Sequence, residues 1–238
     1  MVVGPSADVV EQPVGTGPIV EGVAGASARA EFVRRQAKRE ARVRERHPKI
    51  GGLLLAMVDD PQSTKAWAVG AVGESKTGAQ LEKLVVDGCH VLHDRRIPRS
   101  KANIDHIVIA PGGVFIVDAK NYQGKVRIDW SGGLFSPRIF TLRVGGRDCT
   151  KLVDGIHKQI GIVGGILGKA DSQAAITGVL AFVEADWPLF AANMVVEDVR
   201  VESPRSTVKF IREAPVVYNP NEMRAIAELL RGALPPAQ

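Results

Sequence analysis

The chain has 238 residues, of which 45% are hydrophobic and 24% are charged, as in an ordinary globular protein. The longest apolar run, residues 160–167, is far shorter than the roughly 20 residues of a membrane span, and the N-terminus lacks the pattern of a signal peptide. The formal net charge of +5 lies in one segment, because residues 29–49 contain nine Lys or Arg and three Glu. These features predict a soluble protein without a membrane span.

The first part of the chain divides into two segments of different composition. Residues 1–28 are rich in Gly, Pro, Val and Ala and contain no Lys or Arg, which predicts a disordered tail. Residues 29–50 favour a basic helix and linker, ended by Pro48. Its positive charges suit phosphates of nucleic acid, and we take Arg34, Arg35 and Lys38 as candidate contacts. The alternatives are a solvated charge-rich helix, or a helix that docks on a partner or a membrane surface.

A second helix is predicted from Asp60-Pro61, which supply a cap and a first-turn proline, to about Val86, with Gly88 beyond its end. One stripe of this helix has helical spacing and is apolar or small at every position but one. The exception, in the middle of the stripe, is Glu74. The stripe consists of Trp67, Ala71, Glu74, Gly78, Leu81 and Val85.

Strand patterns and two further helices follow. The helix predicted over 149–167 also has one polar residue, Gln159, on its apolar stripe, and the short run 208–211 is compatible with a strand. A last helix begins at Asn219-Pro220. This order predicts an α/β fold with a mixed central sheet flanked by helices. The predicted strands are 89–94, 104–110, 114–119, 125–130, 134–144 and 176–183, with another around Val199 in a loop region.

Two of the predicted strands, 104–110 and 114–119, form a hairpin that carries charged residues. Asp118 and Lys120 share one strand face because side chains alternate along a strand. If Pro111-Gly112 form the turn, Asp105 lies opposite Asp118; if the turn is one residue later, Asp105 lies opposite Lys120. In either register the three charged side chains lie on the same face.

Two facing carboxylates are unfavourable unless a neutral or positive group lies between them. Mg²⁺ suits this position, since it binds one or two carboxylates and keeps room for water and phosphate oxygens. Glu74 and Gln159 lie on helix stripes that should pack on the sheet, so they could converge on the same place. The alternative is an ordinary ion pair of Lys120 with Asp105 or Asp118, with Glu74 solvated at a helix end.

Four sequence features belong together: GAVGE at 70–74, LHDRRIP at 92–98, NIDHIVIAPGGVFIVDAKNYQGKV at 103–126, and Gln159. They resemble the nuclease-related domain, a branch of the PD-(D/E)XK, restriction-endonuclease-like superfamily. The resemblance covers residues 70–185, within a domain that we place at 60–235. Ile104 stands where the superfamily has the proline of its Pro-Asp pair.

The resemblance implies a role for each site residue. Asp105, Asp118 and the Ala119 carbonyl would bind Mg²⁺ or Mn²⁺, and Glu74 would supplement this metal site. Lys120 would act on the water or phosphate, and Gln159 would position groups.

A basic turn before Asp105 carries Arg95, Arg96, Arg99 and Lys101, which are further candidate contacts for a nucleic-acid backbone. A solvated loop is the alternative. The two cysteines, Cys89 and Cys149, are too few for a zinc site and are expected to be reduced thiols of a cytosolic protein; a disulfide is the alternative.

These features together predict a metal-dependent nuclease that hydrolyses phosphodiester bonds, in DNA, in the cytoplasm of a bacterium. A nucleic-acid-binding or scaffold module that keeps the fold without turnover is the alternative.

Overall fold

A computed structural model of the protein describes residues 17–50, 52, 55, 61–133, 136–170, 174–188 and 194–237. The helices are α1 (Ala26–Arg46), α2 (Gln62–Leu81), a 3-10 helix (Glu82–Asp87), α3 (Lys151–Lys169), α4 (Pro204–Glu213) and α5 (Pro220–Ala233). The strands are β1 (Val20–Glu21), β2 (His90–Arg96), β3 (Asn103–Ala110), β4 (Gly113–Lys120), β5 (Gly124–Gly133), β6 (Ser136–Val144), β7 (Arg147–Asp148), β8 (Ile176–Phe182), β9 (Ala185–Asp186), β10 (Val195–Val196) and β11 (Val199–Glu202).

The central sheet has seven strands in the order β1-β2-β3-β4-β8-β11-β10. Strands β2, β3 and β4 are antiparallel neighbours, whereas β4, β8 and β11 run parallel to one another. The helices cover both faces of this sheet, because β3, β4 and β8 contribute apolar side chains to two separate core clusters. The predicted mixed α/β architecture is confirmed.

The two sheet faces are covered by different helices. Helices α3 and α5 pack on the face that presents Ile107, Ile109, Val114 and Ile116. Helices α2 and α4, with the 3-10 helix, contribute to the cluster that contains Val108, Phe115 and Val117. Strand β8 is buried along most of its length, as its near-continuous apolar run predicts.

Helix α3 approaches β8 closely at Gly178. A Cβ atom at this position would lie 2.2 Å from Ile156 Cγ2, a distance that would force the helix away from the sheet. Gly178 pairs with Ile116 of β4, two residues before Asp118. The glycine therefore sets the depth at which α3 packs beside the charged end of the hairpin.

Two predicted helices have the boundaries that their capping residues indicate. Helix α2 continues into the 3-10 helix and stops at Gly88, whose φ of 82° is readily adopted by glycine. Helix α5 begins at Pro220 behind Asn219, which forms a capping box with Glu222. Asp60, the predicted cap of α2, lies outside the described residues.

The run 208–211 is helical, and the strand considered for it is wrong. Ser203 caps α4 by accepting a hydrogen bond from Ser206 N–H, and Pro204 occupies the first turn. Val208 and Ile211 are three residues apart, so both lie on the buried side of α4. Four residues alone are too few to separate this helical spacing from strand alternation.

The fold begins earlier than the tail boundary predicted at residue 28. Residues Val20–Glu21 pair with β2, and Ala28 is buried in the first turn of α1. Ser27 donates hydrogen bonds from its backbone N–H (2.6 Å) and its hydroxyl (2.7 Å) to the carboxylate of Asp94. Neither the Ser27–Asp94 hydrogen bonds nor a two-residue strand gives a periodic sequence signal. Residues 1–16 lie outside the described residues.

A second sheet, in the order β7-β6-β5-β9, starts where the central sheet ends. Strand β5 follows β4 after three residues, and β9 follows β8 after two. The β5–β6 hairpin therefore begins beside the C-terminal ends of β4 and β8. Within the described ranges, no helix has the length and apolar character needed to cross a membrane.

Candidate active site

The register of the β3–β4 hairpin fixes the relative position of the charged residues. Ala110 pairs with Gly113 and His106 pairs with Val117, so Pro111 and Gly112 form the turn. The paired residues end at His106 and Val117, one residue short of Asp105 and Asp118, and Asp105 contacts the end of β4 through the Ala119 N–H. The first of the two registers derived from the sequence is confirmed.

Lys120 lies between the two carboxylates. Its Nζ donates a hydrogen bond to Asp118 Oδ1 and another to the Ala119 carbonyl oxygen at 3.2 Å. The same Nζ lies 4.0 Å from Asp105 Oδ2. Asp105 Oδ2 also accepts a hydrogen bond of 3.0 Å from Ala119 N–H, which holds this carboxylate against the end of β4.

Burial and the neighbouring charges make the Asp105 carboxylate hard to ionise. Burial raises the pKa of Asp105 well above its usual value, and the charges of Asp118 and Glu74 raise it further against the opposing effect of Lys120. Burial also disfavours the Lys120 ammonium, but Asp118 and Asp105 outweigh this and raise the pKa of Lys120. Lys120 is therefore a cation that the carboxylates hold in place.

Glu74 approaches the same cluster from α2. Burial raises the pKa of Glu74 to about 7, with further contributions from Asp94 and Asp118 and an opposing one from Lys120. Its Oε2 is buried and lacks a hydrogen-bond partner among the described residues. A buried acceptor without a partner is unfavourable, so this oxygen is available to a ligand or a water molecule.

Two glycines of α2 bring Glu74 to this depth. A Cβ at Gly73 would lie 2.9 Å from Asn121 Cβ, in the residue that follows Lys120. A Cβ at Gly78 would lie 2.5 Å from Ala24 Cβ. Gly73 therefore lets α2 pack closely on the end of β4, and Gly78 lets it pack closely on the segment before α1.

Gln159 lies on the part of α3 that faces the sheet. It stands between Ile156 and Ile160, which both approach Gly178 of β8. Its Oε1 is buried and, among the described residues, has no hydrogen-bond partner. Gln159 thus offers a second unpartnered acceptor, on the sheet face that α3 covers, although none of the hydrogen bonds described above reaches it.

The donor set suits a hard divalent cation. Asp105, Asp118 and the Ala119 carbonyl are oxygen donors that surround the Lys120 ammonium, and Glu74 adds an unpartnered oxygen nearby. Mg²⁺ is commonly bound by one or two carboxylates with water completing its shell. Among the described residues, no three His, Cys, Asp or Glu side chains are already arranged around one metal position. The set therefore fits a two-carboxylate site rather than a closed metal cage.

Comparison with known families identifies this part of the chain. Residues 69–183 match the family model of the nuclease-related domain. These residues form a nuclease-related domain. The match agrees closely with the residues that carry the sequence resemblance, is consistent with the PD-(D/E)XK superfamily, and implies a nuclease-related function.

The other comparisons cover less of the chain. An uncharacterized protein of Bacillus anthracis is 36% identical over 74 residues, an alignment that covers 28% of this chain and 35% of that relative. This chain thus spans about a third of that relative's length. No solved structure matches the chain significantly.

A cleft of about 940 Å³ opens over the charged cluster of the nuclease-related domain. Glu74, Ala119 and Lys120 line it from α2 and β4. Arg147 lines the opposite side, and its guanidinium lies 4.7 Å from the ring centre of Tyr122. We call this space the active-site cleft. Arg147 is not predictable as a cleft residue, because nothing in the pattern around Gly145-Gly146 indicates that β7 returns to the end of β4.

A second cleft, of about 600 Å³, lies between α1 and the β2–β3 turn. Four basic residues line it: Arg34, Arg35, Arg96 and Lys101. We call it the basic cleft. The structure thus brings together residues from the two basic segments that the sequence singled out. Lys38 and Arg99 are exposed but are not among its lining residues.

The candidate role of Arg95 in nucleic-acid binding is corrected by the structure. Its side chain is fully buried, and Nε donates to the Leu234 carbonyl at 2.6 Å. Its other nitrogens bind the Arg231 carbonyl and Glu21, both at 3.2 Å. Arg95 therefore ties β1 and the end of α5 to β2. Arg96 points to the other side because adjacent strand residues alternate.

Proposed function

We propose that this protein is a metal-dependent nuclease that hydrolyses phosphodiester bonds in DNA. The observation that carries the proposal is the position of Lys120 between Asp105 and Asp118 at the base of an open cleft. Burying two carboxylates beside each other is costly, and a positive charge between them offsets their repulsion. A module that only binds nucleic acid has no need of this cluster.

Each member of the cluster has a chemical task in this proposal. Asp105, Asp118 and the Ala119 carbonyl would hold Mg²⁺ or Mn²⁺, which when bound polarises a phosphate and lowers the pKa of a coordinated water. Lys120 would donate a hydrogen bond to the phosphate oxygen that gains charge. Glu74 Oε2 would accept a hydrogen bond from the water, and Gln159 Oε1 would orient a group on the opposite side.

The basic cleft supports nucleic acid as the substrate. Arg34, Arg35, Arg96 and Lys101 present positive charge on one side of the molecule, where phosphates would be attracted. We place this activity in the bacterial cytoplasm, where reduced thiols such as the two free, buried cysteines are the usual state.

A non-catalytic nucleic-acid-binding or scaffold module is the second candidate. It is favoured by the ion pairs of Lys120, which neutralise Asp118 without any metal. The two candidates differ in what they require of the carboxylates, since binding alone would survive their loss.

The test is cleavage of circular DNA, linear DNA and RNA by the purified protein with Mg²⁺, Mn²⁺ or EDTA. Asp118→Asn and Lys120→Ala are compared with Asp154→Asn, a change at an exposed position of α3. We expect metal-dependent cutting by the wild type and by Asp154→Asn, and none by the other two. Cutting of the circle would identify an endonuclease.

Two results would contradict the proposal. If no substrate is cut with any metal while the variants bind DNA as the wild type does, the protein is a binding module. If RNA alone is cut, the nuclease stands and DNA is the wrong substrate.

A further inference from the structure

We infer that Trp67 is a stacking platform for an unpaired base, so that the substrate of the nuclease proposed above is DNA with a single-stranded segment. This inference rests on the proposed function and names the substrate class of the same site. It follows from the position of Trp67, from the charges around it and from its exposed ring.

Trp67 lines both clefts. It lies in the first part of α2 and contributes to the wall of the basic cleft and to the wall of the active-site cleft. A strand that passes from Arg96 and Lys101 towards Lys120 must therefore pass Trp67. Among the described residues, no other aromatic side chain lines both spaces.

The ring is exposed although it is large and apolar. Trp67 retains 39% of its accessible surface, and it belongs to neither of the two core clusters. An exposed tryptophan at a concave, charged site is a common recognition element, because it offers a rigid surface with few rotatable bonds. The core gains little from a tryptophan at this position, whereas a stacked base would cover it.

Arg35 is positioned over the same ring. Its guanidinium lies 5.4 Å from the Trp67 ring centre, and Glu31 holds its Nε at 2.5 Å. A planar cation above a tryptophan ring is favourable, and it places positive charge beside the surface where a base would stack. Arg35 can thus contact the phosphate of a nucleotide whose base contacts Trp67.

The combination favours an unpaired strand over a duplex. Single strands are bound by a positive groove that follows the backbone and by aromatic rings on which bases stack. In a duplex the bases are already stacked inside, so a duplex would engage Arg34, Arg96 and Lys101 and leave Trp67 unused. The predicted signature is therefore a loss of single-strand binding without an equal loss of duplex binding when the ring is removed.

The test measures binding by fluorescence anisotropy in EDTA, so that cleavage does not interfere. A labelled single-stranded oligonucleotide is compared with a duplex of the same length. We expect Trp67→Ala to weaken single-strand binding by about 5- to 150-fold, the range for loss of one stacked base. Trp67→Phe should retain most of the affinity, and duplex binding should change much less in either variant.

Trp130→Ala is the matched control, since Trp130 is 65% exposed and lies on β5 outside both clefts. Its single-strand affinity should equal that of the wild type. The inference is overturned if Trp67→Ala binds the single strand as Trp130→Ala does. It is equally overturned if Trp67→Ala loses single-strand and duplex binding in the same proportion, because the ring would then only support the basic cleft.

If Trp67→Ala does not fold, tryptophan fluorescence tests the stacking of a base on Trp67 instead. The variant with Trp130→Phe and Trp187→Phe leaves Trp67 as the only tryptophan. Stacking predicts that its fluorescence is quenched by the single strand and much less by the duplex. Equal responses to the two ligands, or no response to either, would refute the inference.

The two proposals fail in different ways. Metal-dependent cleavage together with a Trp67→Ala variant that binds single strands normally would leave the nuclease intact and remove the role of Trp67. No cleavage, together with single-strand binding that depends on Trp67, would remove the nuclease and leave single-strand recognition.

Discussion

The active-site cleft and the basic cleft collect charged residues in opposite ways. Asp105, Asp118 and Lys120 come from one hairpin, so the local register alone brings them together. The basic cleft combines α1 with the β2–β3 turn, which are about sixty residues apart in the chain. Asp105 and Asp118 are buried and Lys120 is partly buried, whereas Arg34, Arg96 and Lys101 are exposed.

This contrast predicts different energetic consequences. In the buried site, changing one charge alters the ionisation of its neighbours, since each pKa depends on the others. In the basic cleft, each exposed charge contributes a small, salt-sensitive amount that is nearly independent of the rest. Catalysis should therefore fail in an all-or-none manner at the first site, and affinity should decrease in steps at the second.

The largest effect is expected from Asp105→Asn. Cleavage should fall below detection, because a neutral amide is a poor metal ligand. The metal-free fold should nevertheless be as stable as the wild type or more stable. The Asp105 pKa is raised in the fold, so ionisation of this group reduces stability as pH rises above its usual range, and asparagine removes that loss. Thermal unfolding in EDTA at neutral pH measures this, with Asp154→Asn as the control.

A large decrease in melting temperature of Asp105→Asn would show that the carboxylate has a structural role. Asparagine keeps an oxygen that can accept the hydrogen bond of Ala119 N–H, so loss of this hydrogen bond would not explain such a result.

Lys120→Met should reduce both activity and stability. Removing a donor aimed at a charged transition state typically lowers the rate by about 100- to 1000-fold. The fold should lose on the order of 2 kcal/mol in EDTA, because two buried carboxylates lose their counter-charge. Mg²⁺ should restore part of this stability if a cation binds between the carboxylates. Chemical denaturation with and without Mg²⁺ tests this, and equal losses in both conditions would contradict a metal site.

The turn and register of the β3–β4 hairpin were predictable because their determinants are local. Pro111 and Gly112 form the turn, so Ala110 pairs with Gly113, as one of the two sequence-derived registers requires. The buried position of Arg95 was not predictable, because its hydrogen-bond partners Leu234 and Arg231 lie at the other end of the chain. Trp67 and Arg147 were missed as cleft residues for the same reason: their positions depend on how α1 and β7 pack, and no local pattern encodes this.

Glu74→Gln should change the pH dependence of stability. The pKa of Glu74 is raised from its usual 4.5 to about 7 in the fold. The folded protein therefore holds this proton more tightly, so stability is fully present below about pH 4.5 and is lost as pH rises through about 7. This loss is on the order of 3 kcal/mol at most. Glu74→Gln should remove it and give a flatter profile between these limits.

Melting temperature in EDTA, followed across that pH range, measures the effect of Glu74→Gln. Glu213→Gln, at an exposed end of α4, should leave the wild-type slope unchanged. Identical slopes in wild type and Glu74→Gln would mean that Glu74 is solvated rather than buried beside Asp118.

The smallest effects are expected from the basic cleft. Arg96→Ala and Lys101→Ala should each reduce the slope of log affinity against log salt by about 0.9 on duplex DNA and about 0.7 on single strands, if each contacts one phosphate. Arg99→Ala should change the slope less, because Arg99 does not line the cleft. Anisotropy titrations over a range of salt concentrations give these slopes. If Arg99→Ala changes the salt slope as much as Arg96→Ala and Lys101→Ala do, phosphates contact the whole basic turn and not only the residues that line the cleft. The basic residues would then form a diffuse positive surface, in which each charge acts independently, rather than a defined path to Lys120.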